Sequence, residues 1–367
     1  MSSSSRILFS TATVAGLAST IASYSTGTTG TTSYKMIKNY NHTNFFDEFE
    51  FFTEPDPTHG YVEYVGPEIA KKNGYAKCVD GYIYLGADHV TVNPKNGRMS
   101  TRLESKQNFT RSLIIGDIAH MPSGPGIWPA FWSFGKEWPN SGEIDIIEGV
   151  NLDVANHVAL HTGPGCTIIN TGSAKTTVLE HDDCHYREGR QGCGQFTQAP
   201  FGTAFNAISG GVYALDWTAD YIAMYFFPRD SIPADISNEV PDPGTWEAPI
   251  AKFNGGSGCD IGSHFNEHNL VFNTDFCGDW AGSVWKWDKN LTSMAKECVD
   301  FVGANPHLYS KAYWLISSVK VYETVNKETP KTYPTGGYFT GVSPTNTALA
   351  VYNFTASGPR RAWLGVG

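Results

Sequence analysis

Three carboxylic acids within six residues are the feature of this sequence best suited to chemistry. Glu143, Asp145 and Glu148 alternate with isoleucines in Glu143-Ile144-Asp145-Ile146-Ile147-Glu148. β-Branched residues disfavour a helix, so the segment is predicted to be a buried strand. A regular strand would place Glu143 and Asp145 on one face and Glu148 on the other. A β-bulge at Ile146-Ile147 would return Glu148 to their face, which predicts a row of three acids.

Such a row has consequences for proton affinity and for catalysis. Mutual repulsion predicts that at least one acid keeps its proton to unusually high pH. Two carboxyl groups on one face suit glycoside hydrolysis, in which one protonates the leaving oxygen and the other attacks the anomeric carbon or activates water. A calcium site, or a structural acidic strand, is the alternative, because hard cations also bind carboxylate oxygens.

The composition predicts a β-rich protein. The chain has 367 residues, of which 17% are charged, 13% are aromatic, 38 are glycine and 20 are proline. This mixture favours short strands separated by turns, and long helical patterns are absent. Strand-like runs at 82–85, 112–118, 143–147, 157–161, 212–217, 221–227, 270–273 and 313–322 predict an all-β sandwich, with 212–217 and 221–227 as a hairpin. Residues 300–305 are a candidate short helix.

The net charge of −10 argues against nucleic acid or an anionic membrane as a partner, because both require basic surfaces. A neutral polymer is allowed. No cysteine spacing resembles a zinc site, and beyond the calcium alternative above the sequence implies no metal and no cofactor. The chain is expected to act as a monomer.

The ends of the chain predict secretion. Residues 1–22 are interpreted as a cleaved signal peptide, with a disordered Ser/Thr-rich leader as the alternative. Residues 23–38 are interpreted as a Ser/Thr/Gly-rich lead-in, 39–325 as the catalytic domain and 326–367 as a C-terminal tail. The expected location is therefore extracellular. Sequons at Asn41, Asn108, Asn290 and Asn353 are compatible with this.

Seven cysteines also fit an oxidising compartment, and six of them follow residue 160. The simplest arrangement is three disulfides among these six, with Cys78 as a buried thiol. The pairing itself is left open, because six cysteines allow 15 connectivities.

Several tryptophans accompany the acids. Trp128, Trp132, Trp138 and Trp280 lie beside proline, glycine or polar residues. Exposed indoles stack on the flat faces of sugar rings, so these four are candidates for substrate binding, and core packing is the alternative. Trp217 and Trp314 lie inside strand patterns and are expected in the core.

These segments together resemble a known family. Gly142-Glu143-Ile144-Asp145-Ile146-Ile147-Glu148-Gly149, with Trp128-Pro129-Ala130-Phe131-Trp132 before it and His161-Thr162-Gly163 after it, resembles the bulged E-x-D-x-x-E motif of glycoside hydrolase family 16. The segments around Cys259, Cys277 and Cys298 further resemble fungal laminarinase-type endoglucanases. The likeness covers roughly residues 39–322.

The resemblance implies a β-jelly-roll sandwich of two antiparallel sheets, with a concave face that cleaves β-glucan internally. It makes Glu143 the nucleophile and Glu148 the acid/base, and it makes Asp145 the middle acid that helps Glu148 keep its proton. It also implies that other residues bind substrate: Arg102 at sugar hydroxyls, His161 near the cleaved bond, and Trp132, Trp138 and Trp280 as stacking positions.

The function expected on this basis is a secreted retaining endo-β-1,3(4)-glucanase that acts on laminarin-like or mixed-linked glucans. A transglycosylase is one alternative, because the same acids would serve it. A non-catalytic β-glucan-binding module is another, although intact Glu143 and Glu148 disfavour it. The sequence does not select among linkages.

Overall fold

The computed structural model of the protein describes residues 33–187 and 190–325. Expectations for the signal peptide at 1–22, for the tail at 326–367 and for the sequon at Asn353 lie outside the described residues. Within the described ranges, every helix is too short or too polar to cross a membrane.

The described residues form strands β1 (Ser33–Asn41), β2 (Phe49–Phe51), β3 (Val62–Tyr64), β4 (Ala76–Val79), β5 (Tyr82–Gly86), β6 (Arg98–Ser100), β7 (Arg102–Phe109), β8 (Leu113–His120), β9 (Ile127–Gly135), β10 (Glu143–Glu148), β11 (Ala155–His161), β12 (Val178–His181), β13 (Tyr186–Arg187), β14 (Arg190–Gln191), β15 (Cys193–Pro200), β16 (Gly211–Trp217), β17 (Tyr221–Pro228), β18 (Ala251–Asn254), β19 (His268–Phe276) and β20 (Tyr313–Val325).

Short helices connect the strands. The α-helices are α1 (Phe45–Glu48), α2 (Pro67–Asn73), α3 (Gly202–Ala207), α4 (Ala234–Ser237), α5 (Ile261–His264), α6 (Gly278–Trp287), α7 (Lys289–Met294) and α8 (Cys298–Ala304). Two 3₁₀ turns cover Pro243–Thr245 and Pro306–Lys311. Of the segment 300–305, expected to be a short helix or turn, residues 300–304 belong to α8.

Two antiparallel sheets of eight strands each make up the architecture. The back sheet has the order β18-β17-β16-β8-β20-β5-β4, with β1 also paired to β20. The cleft sheet has the order β12-β15-β11-β10-β9-β19-β7-β2. Seven of the eight strand-like runs lie wholly in strands, the run 112–118 begins one residue before β8, and β16 and β17 form the expected hairpin. The predicted all-β sandwich is therefore confirmed.

The core lies between the two sheets and follows the two-residue period of the strands. In β16, Tyr213, Leu215 and Trp217 face the central core, while Val212 and Ala214 face a smaller cluster on the other side. Across the sandwich, the Phe272 ring of the cleft sheet lies 5.4 Å from the Trp314 ring of the back sheet. Trp217 and Trp314 are buried, as expected.

The central strand of the cleft sheet carries the predicted bulge. Asp145 pairs with Trp132 on β9, whereas Ile147 pairs with the adjacent Phe131, so Ile146 has no partner there. Ile144, Ile146 and Ile147 are all buried in the central core. The bulge therefore leaves the three acids together on the opposite face.

The first strand begins earlier than the sequence suggested. The sequence places residues 33–38 in the lead-in. In the structure they belong to β1, which pairs with β20 as far as Val325. Most β1 side chains are only half-buried, so its residues lack the strongly apolar alternation that marks an inner strand. Tyr34 ties the strand to the back sheet through a 2.9 Å hydrogen bond to Asp216.

Three disulfides join the six late cysteines, as expected: Cys166–Cys259, Cys184–Cys193 and Cys277–Cys298. The expectation that Cys78 is buried is wrong, since its side chain is exposed. Cys78 lies on β4, which ends the back sheet and pairs only with β5 there. One face of such an end strand can meet solvent.

Replacing both cysteines of Cys166–Cys259 by alanine should lower the free energy of unfolding by about 2 kcal/mol more than the same change at Cys184–Cys193. The first bridge spans 93 residues and the second spans 9, and the entropy lost by the unfolded chain grows with loop length. Urea unfolding measures the difference. All four cysteines are buried, so the packing lost on substitution by alanine is similar at the two bridges. Exposed Cys78→Ser is the control, and equal losses for the two bridges would contradict the prediction.

Candidate active site

The acids of β10 lie in a cleft on the face of the cleft sheet opposite the core. The cleft has a volume of about 910 Å³. Its lining includes all nine residues that the sequence singled out: Arg102, Trp128, Trp132, Trp138, Glu143, Asp145, Glu148, His161 and Trp280. The fold thus brings together residues from β7, β9, β10, β11 and α6.

Glu148 is placed to hold a proton near neutral pH. Burial, followed by the charge of Asp145, raises its pKa to about 8. A hydrogen bond from Trp128 Nε1, 2.8 Å from Glu148 Oε1, acts in the opposite direction, as do the charges of His157 and His161. A carboxyl group that stays protonated at neutral pH can act as a general acid.

Glu143 and Asp145 share a histidine. His161 Nε2 lies 3.0 Å from Asp145 Oδ2 and 3.9 Å from Glu143 Oε1. Burial, and then the neighbouring Glu143, raises the pKa of Asp145 well above its usual range. Trp138 Nε1 donates a hydrogen bond to Glu143 Oε2. Glu143 therefore has Trp138 at one carboxylate oxygen and His161 near the other, and it lines the cleft.

The same distances satisfy the alternative of a cation site. Glu143, Asp145 and His161 each offer one ligand atom, and these atoms lie within 4.8 Å of one another. A cation there would use two of the three acids and would give Glu148 no role. Acid and nucleophile chemistry instead uses the whole row, including the raised pKa of Glu148.

Aromatic rings form the walls of the cleft. The rings of Trp128 and Trp280 meet edge to face at 5.8 Å, and Trp138 lies 4.7 Å from Tyr186. Trp138 is the most open of the tryptophans that line the cleft, with 42% of its surface exposed. Trp132 donates a 2.9 Å hydrogen bond to Asn273. These rings combine fixed positions with open faces, as sugar stacking requires.

Arg102 is a buried residue of the cleft wall. Its Nε and Nη2 atoms each lie 2.8 Å from Glu104 Oε1. Its guanidinium group lies 4.3 Å from the centre of the Phe52 ring and 5.0 Å from that of Trp132. This two-atom contact and the stacking fix the planar group beside the cleft.

Sequence reasoning missed several cleft residues. His157 could have been found, because residues 157, 159 and 161 share one face of β11, and His161 was already a candidate. The others reach the cleft from elements distant in sequence and carried no local signal: Asp56, Glu180, Tyr186, Phe196, Asn273 and Asp275.

Comparison with known proteins assigns the family. Residues 49–322 match the XgeA-like catalytic GH16 domain. The chain belongs to glycoside hydrolase family 16. It is 40% identical over 299 residues to an endo-1,3(4)-β-glucanase of Arthroderma benhamiae, a match that covers 79% of this chain and 65% of that protein. Among the curated relatives with the most similar sequences, the chain spans about half to two-thirds of their length.

Solved family 16 structures share the fold. An elongating β-1,3-glucosyltransferase has 40% sequence identity and a TM-score of 0.73. Laminarinase 16A from Phanerochaete chrysosporium, with 6-O-glucosyl-laminaritriose in its donor and acceptor sites, has 37% identity and a TM-score of 0.74. Each match covers 79% of this chain and 100% of the solved chain. The resemblance drawn from the sequence is thus confirmed at the level of family and fold.

Glu148→Gln is expected to stabilise this family 16 domain increasingly as the pH rises. Burial and Asp145 raise the Glu148 pKa from 4.5 to about 8. Below the unfolded pKa, both the folded and the unfolded states hold the proton. Toward pH 8 the unfolded chain releases it while the folded chain keeps it, so wild-type stability falls. Glutamine has no such proton.

At about pH 8 the variant should exceed wild type by roughly 2 kcal/mol in unfolding free energy, a value reduced for the partial exposure of Glu148. Urea unfolding at about pH 4.5 and about pH 8 provides the measurement. Glu50→Gln, at an exposed position of edge strand β2, is the matched control. A gain that does not change with pH would contradict the assigned proton.

Proposed function

We propose that the protein is a retaining endo-β-glucanase that hydrolyses internal linkages of β-1,3-glucans or mixed-linked β-1,3(4)-glucans. The observation that carries the proposal is the row Glu143, Asp145 and Glu148 on the bulged strand, within a tryptophan-lined cleft. The relatives named endo-1,3(4)-β-glucanase and laminarinase support this substrate class.

In the first step of this mechanism, a Glu143 oxygen attacks the anomeric carbon while the glycosidic bond breaks. Glu148 transfers its proton to the departing oxygen, which leaves as a neutral hydroxyl. The raised pKa of Glu148 keeps that proton available near neutral pH. The product is a covalent ester between the sugar and Glu143.

In the second step, the Glu148 carboxylate takes a proton from water. The water oxygen attacks the anomeric carbon, and Glu143 departs as a carboxylate. Two inversions return the original anomeric configuration, and both side chains regain their starting protonation. These steps use side chains of the protein alone and require no cofactor.

The other cleft residues are assigned to binding and orientation. Trp128, Trp132, Trp138 and Trp280 present ring surfaces for sugar stacking. Arg102, held by Glu104, directs its remaining N–H groups to sugar hydroxyls. His161 bridges Asp145 and Glu143, and so keeps the nucleophile aligned.

Transglycosylation is a second candidate function. The observation that favours it is the similarity to an elongating β-1,3-glucosyltransferase, at 40% identity. In that reaction a sugar hydroxyl, rather than water, would give its proton to Glu148 and attack the glycosyl-enzyme. A purely binding role is disfavoured, because both Glu143 and Glu148 are present.

We also propose that the protein is secreted and acts as a monomer on polysaccharide. The apolar N-terminal segment and the three disulfides support export, because structural disulfides persist in oxidising compartments. Detection of the protein in culture medium, with residues 1–22 absent by N-terminal sequencing, would test this. Retention inside the cell would contradict it.

Time-resolved proton NMR with soluble β-1,3-glucan and, in parallel, mixed-linked glucan tests the activity. Retaining endo-hydrolysis predicts early β-anomer products of several lengths. Products longer than the starting glucan would favour transglycosylation. Binding without new reducing ends would overturn both enzymatic functions.

Glu143→Gln should reduce turnover by at least about 1,000-fold, because the amide cannot form the glycosyl ester. Glucan binding and the melting temperature should change little, because the two side chains have similar size. Initial rates and affinity electrophoresis on the same preparation measure both effects. Wild-type turnover by the variant would exclude Glu143 as the nucleophile.

Glu148→Gln should affect natural glucan much more than aryl glycosides with good leaving groups. Such leaving groups depart without a proton, so the first step loses little from removal of the acid. The ratio of kcat/KM for the two substrate types measures this. An equal loss on both would argue against an acid role for Glu148.

A further inference from the structure

A histidine that the mechanism above does not use lies beside the acid/base. His157 of β11 is the direct cross-strand partner of Glu148 of β10. Directly opposed residues of an antiparallel pair have Cβ atoms about 4.5–5.5 Å apart. Both residues line the cleft, so their side chains lie on the same face of the sheet.

Glu180 of β12 fixes the imidazole from the other side. Its Oε2 atom lies 3.1 Å from His157 Nε2, and this hydrogen bond is the largest cause of a lowered pKa at Glu180. The imidazole ring also lies 4.7 Å from the Phe196 ring and 5.5 Å from that of Trp280. These contacts leave 13% of the His157 side chain exposed.

The second ring nitrogen of His157 is not held by a neighbouring group. Among the described residues, His157 Nδ1 is buried and has no hydrogen-bond partner. In the neutral ring, Nε2–H can donate to Glu180 while Nδ1 carries no proton. A proton on Nδ1 would therefore leave the Nε2 contact with Glu180 in place.

We propose that His157, held by Glu180, is a positioning residue that supplies positive charge to the Glu148 carboxylate formed during the reaction. The proton itself passes from Glu148 to the glycosidic oxygen, and His157 neither gives nor receives it. The imidazolium stabilises the negative charge left behind, which makes Glu148 a stronger acid. This inference rests on the proposed function, because it assigns a partner to the acid/base of that mechanism.

Several other groups act on the Glu148 proton. Burial and Asp145 favour the protonated form, whereas the Trp128 N–H, His157 and His161 favour the carboxylate. His161 lies 3.0 Å from Asp145, so its ring is already in contact with the middle acid of the row. His157 instead lies opposite Glu148 across the strand pair.

His157 has charged neighbours of its own. Glu180 is in direct contact with it, and His157 also lowers the pKa of Asp153, which precedes β11 and is raised mainly by burial. His181 adds a smaller effect on Glu180. His157 thus faces Glu180 and Asp153 as well as Glu148, and its effect on each is to favour the carboxylate form.

The test is the pH dependence of kcat/KM on soluble β-1,3-glucan, which reports protonation in the free enzyme. His157→Gln removes the charge but keeps an amide that can reach Glu180. The basic limb of this pH profile is the fall in kcat/KM at high pH, where Glu148 loses its proton. The His157→Gln variant should move that limb up by on the order of one pH unit. His157→Lys keeps a permanent charge and should move the limb down. A merely structural role would lower the rate in both variants and leave the limb in place.

A matched control pair exists on the cleft rim. His59 Nδ1 lies 2.9 Å from Asp279 Oδ2, which gives a second histidine–carboxylate contact outside the charges that act on Glu148. His59→Gln and His59→Lys should leave the basic limb at its wild-type position. A limb that moves equally in the His59 variants would show a general charge effect and would overturn the proposal.

A double-mutant cycle tests the His157–Glu180 pair itself. It uses a substitution at a partly exposed position, which the fold can accept. Glu180 has 37% of its side chain exposed on end strand β12, so Glu180→Gln should fold. It should move the basic limb when His157 is present and have no effect in the His157→Gln background. Equal shifts in both backgrounds would reject the pair. An unmoved limb with intact hydrolysis would reject this inference alone, whereas absence of hydrolysis in wild type would reject the proposed function.

Discussion

Crowding of three carboxyl groups on one face of β10 is the interaction on which the site depends. The groups repel one another and lose hydration, so the surrounding structure must supply partners without neutralising all three. Indole N–H groups from Trp138 and Trp128 bind the two outer acids, Glu143 and Glu148. His161 contacts the middle acid, Asp145. Burial and the charge of Asp145 outweigh the groups that favour the carboxylate, so the pKa of Glu148 stays raised.

The same strand links chemistry to the packing of the sandwich. Ile144, Ile146 and Ile147 fill the central core on one side, while the acids occupy the other side. The bulge reconciles the two requirements, because a strand without it would place an acid in the core or an isoleucine in the cleft. Pairing with β9 and β11 on both edges then fixes the acids to the middle of the sheet.

The walls of the cleft depend on less regular parts of the chain. Trp280 is presented by α6, which the Cys277–Cys298 bridge connects to α8. At the other end, the Cys184–Cys193 bridge closes the segment that carries Tyr186, whose ring meets Trp138. The cleft sheet therefore carries the three acids, and the cross-linked connections carry Trp280 and Tyr186 of the cleft wall.

The sequence by itself determined the strand, its bulge and the three acids, because a two-residue period interrupted once is readable from local order. It also marked the tryptophans, since residue type alone suggests stacking. Only the tertiary structure decided the partners of those groups. The contact of His157 with Glu180 and the exposure of Cys78 depend on which strands become neighbours or sheet ends. The raised pKa of Glu148 likewise depends on burial, which is a property of the assembled sandwich and not of the chain order.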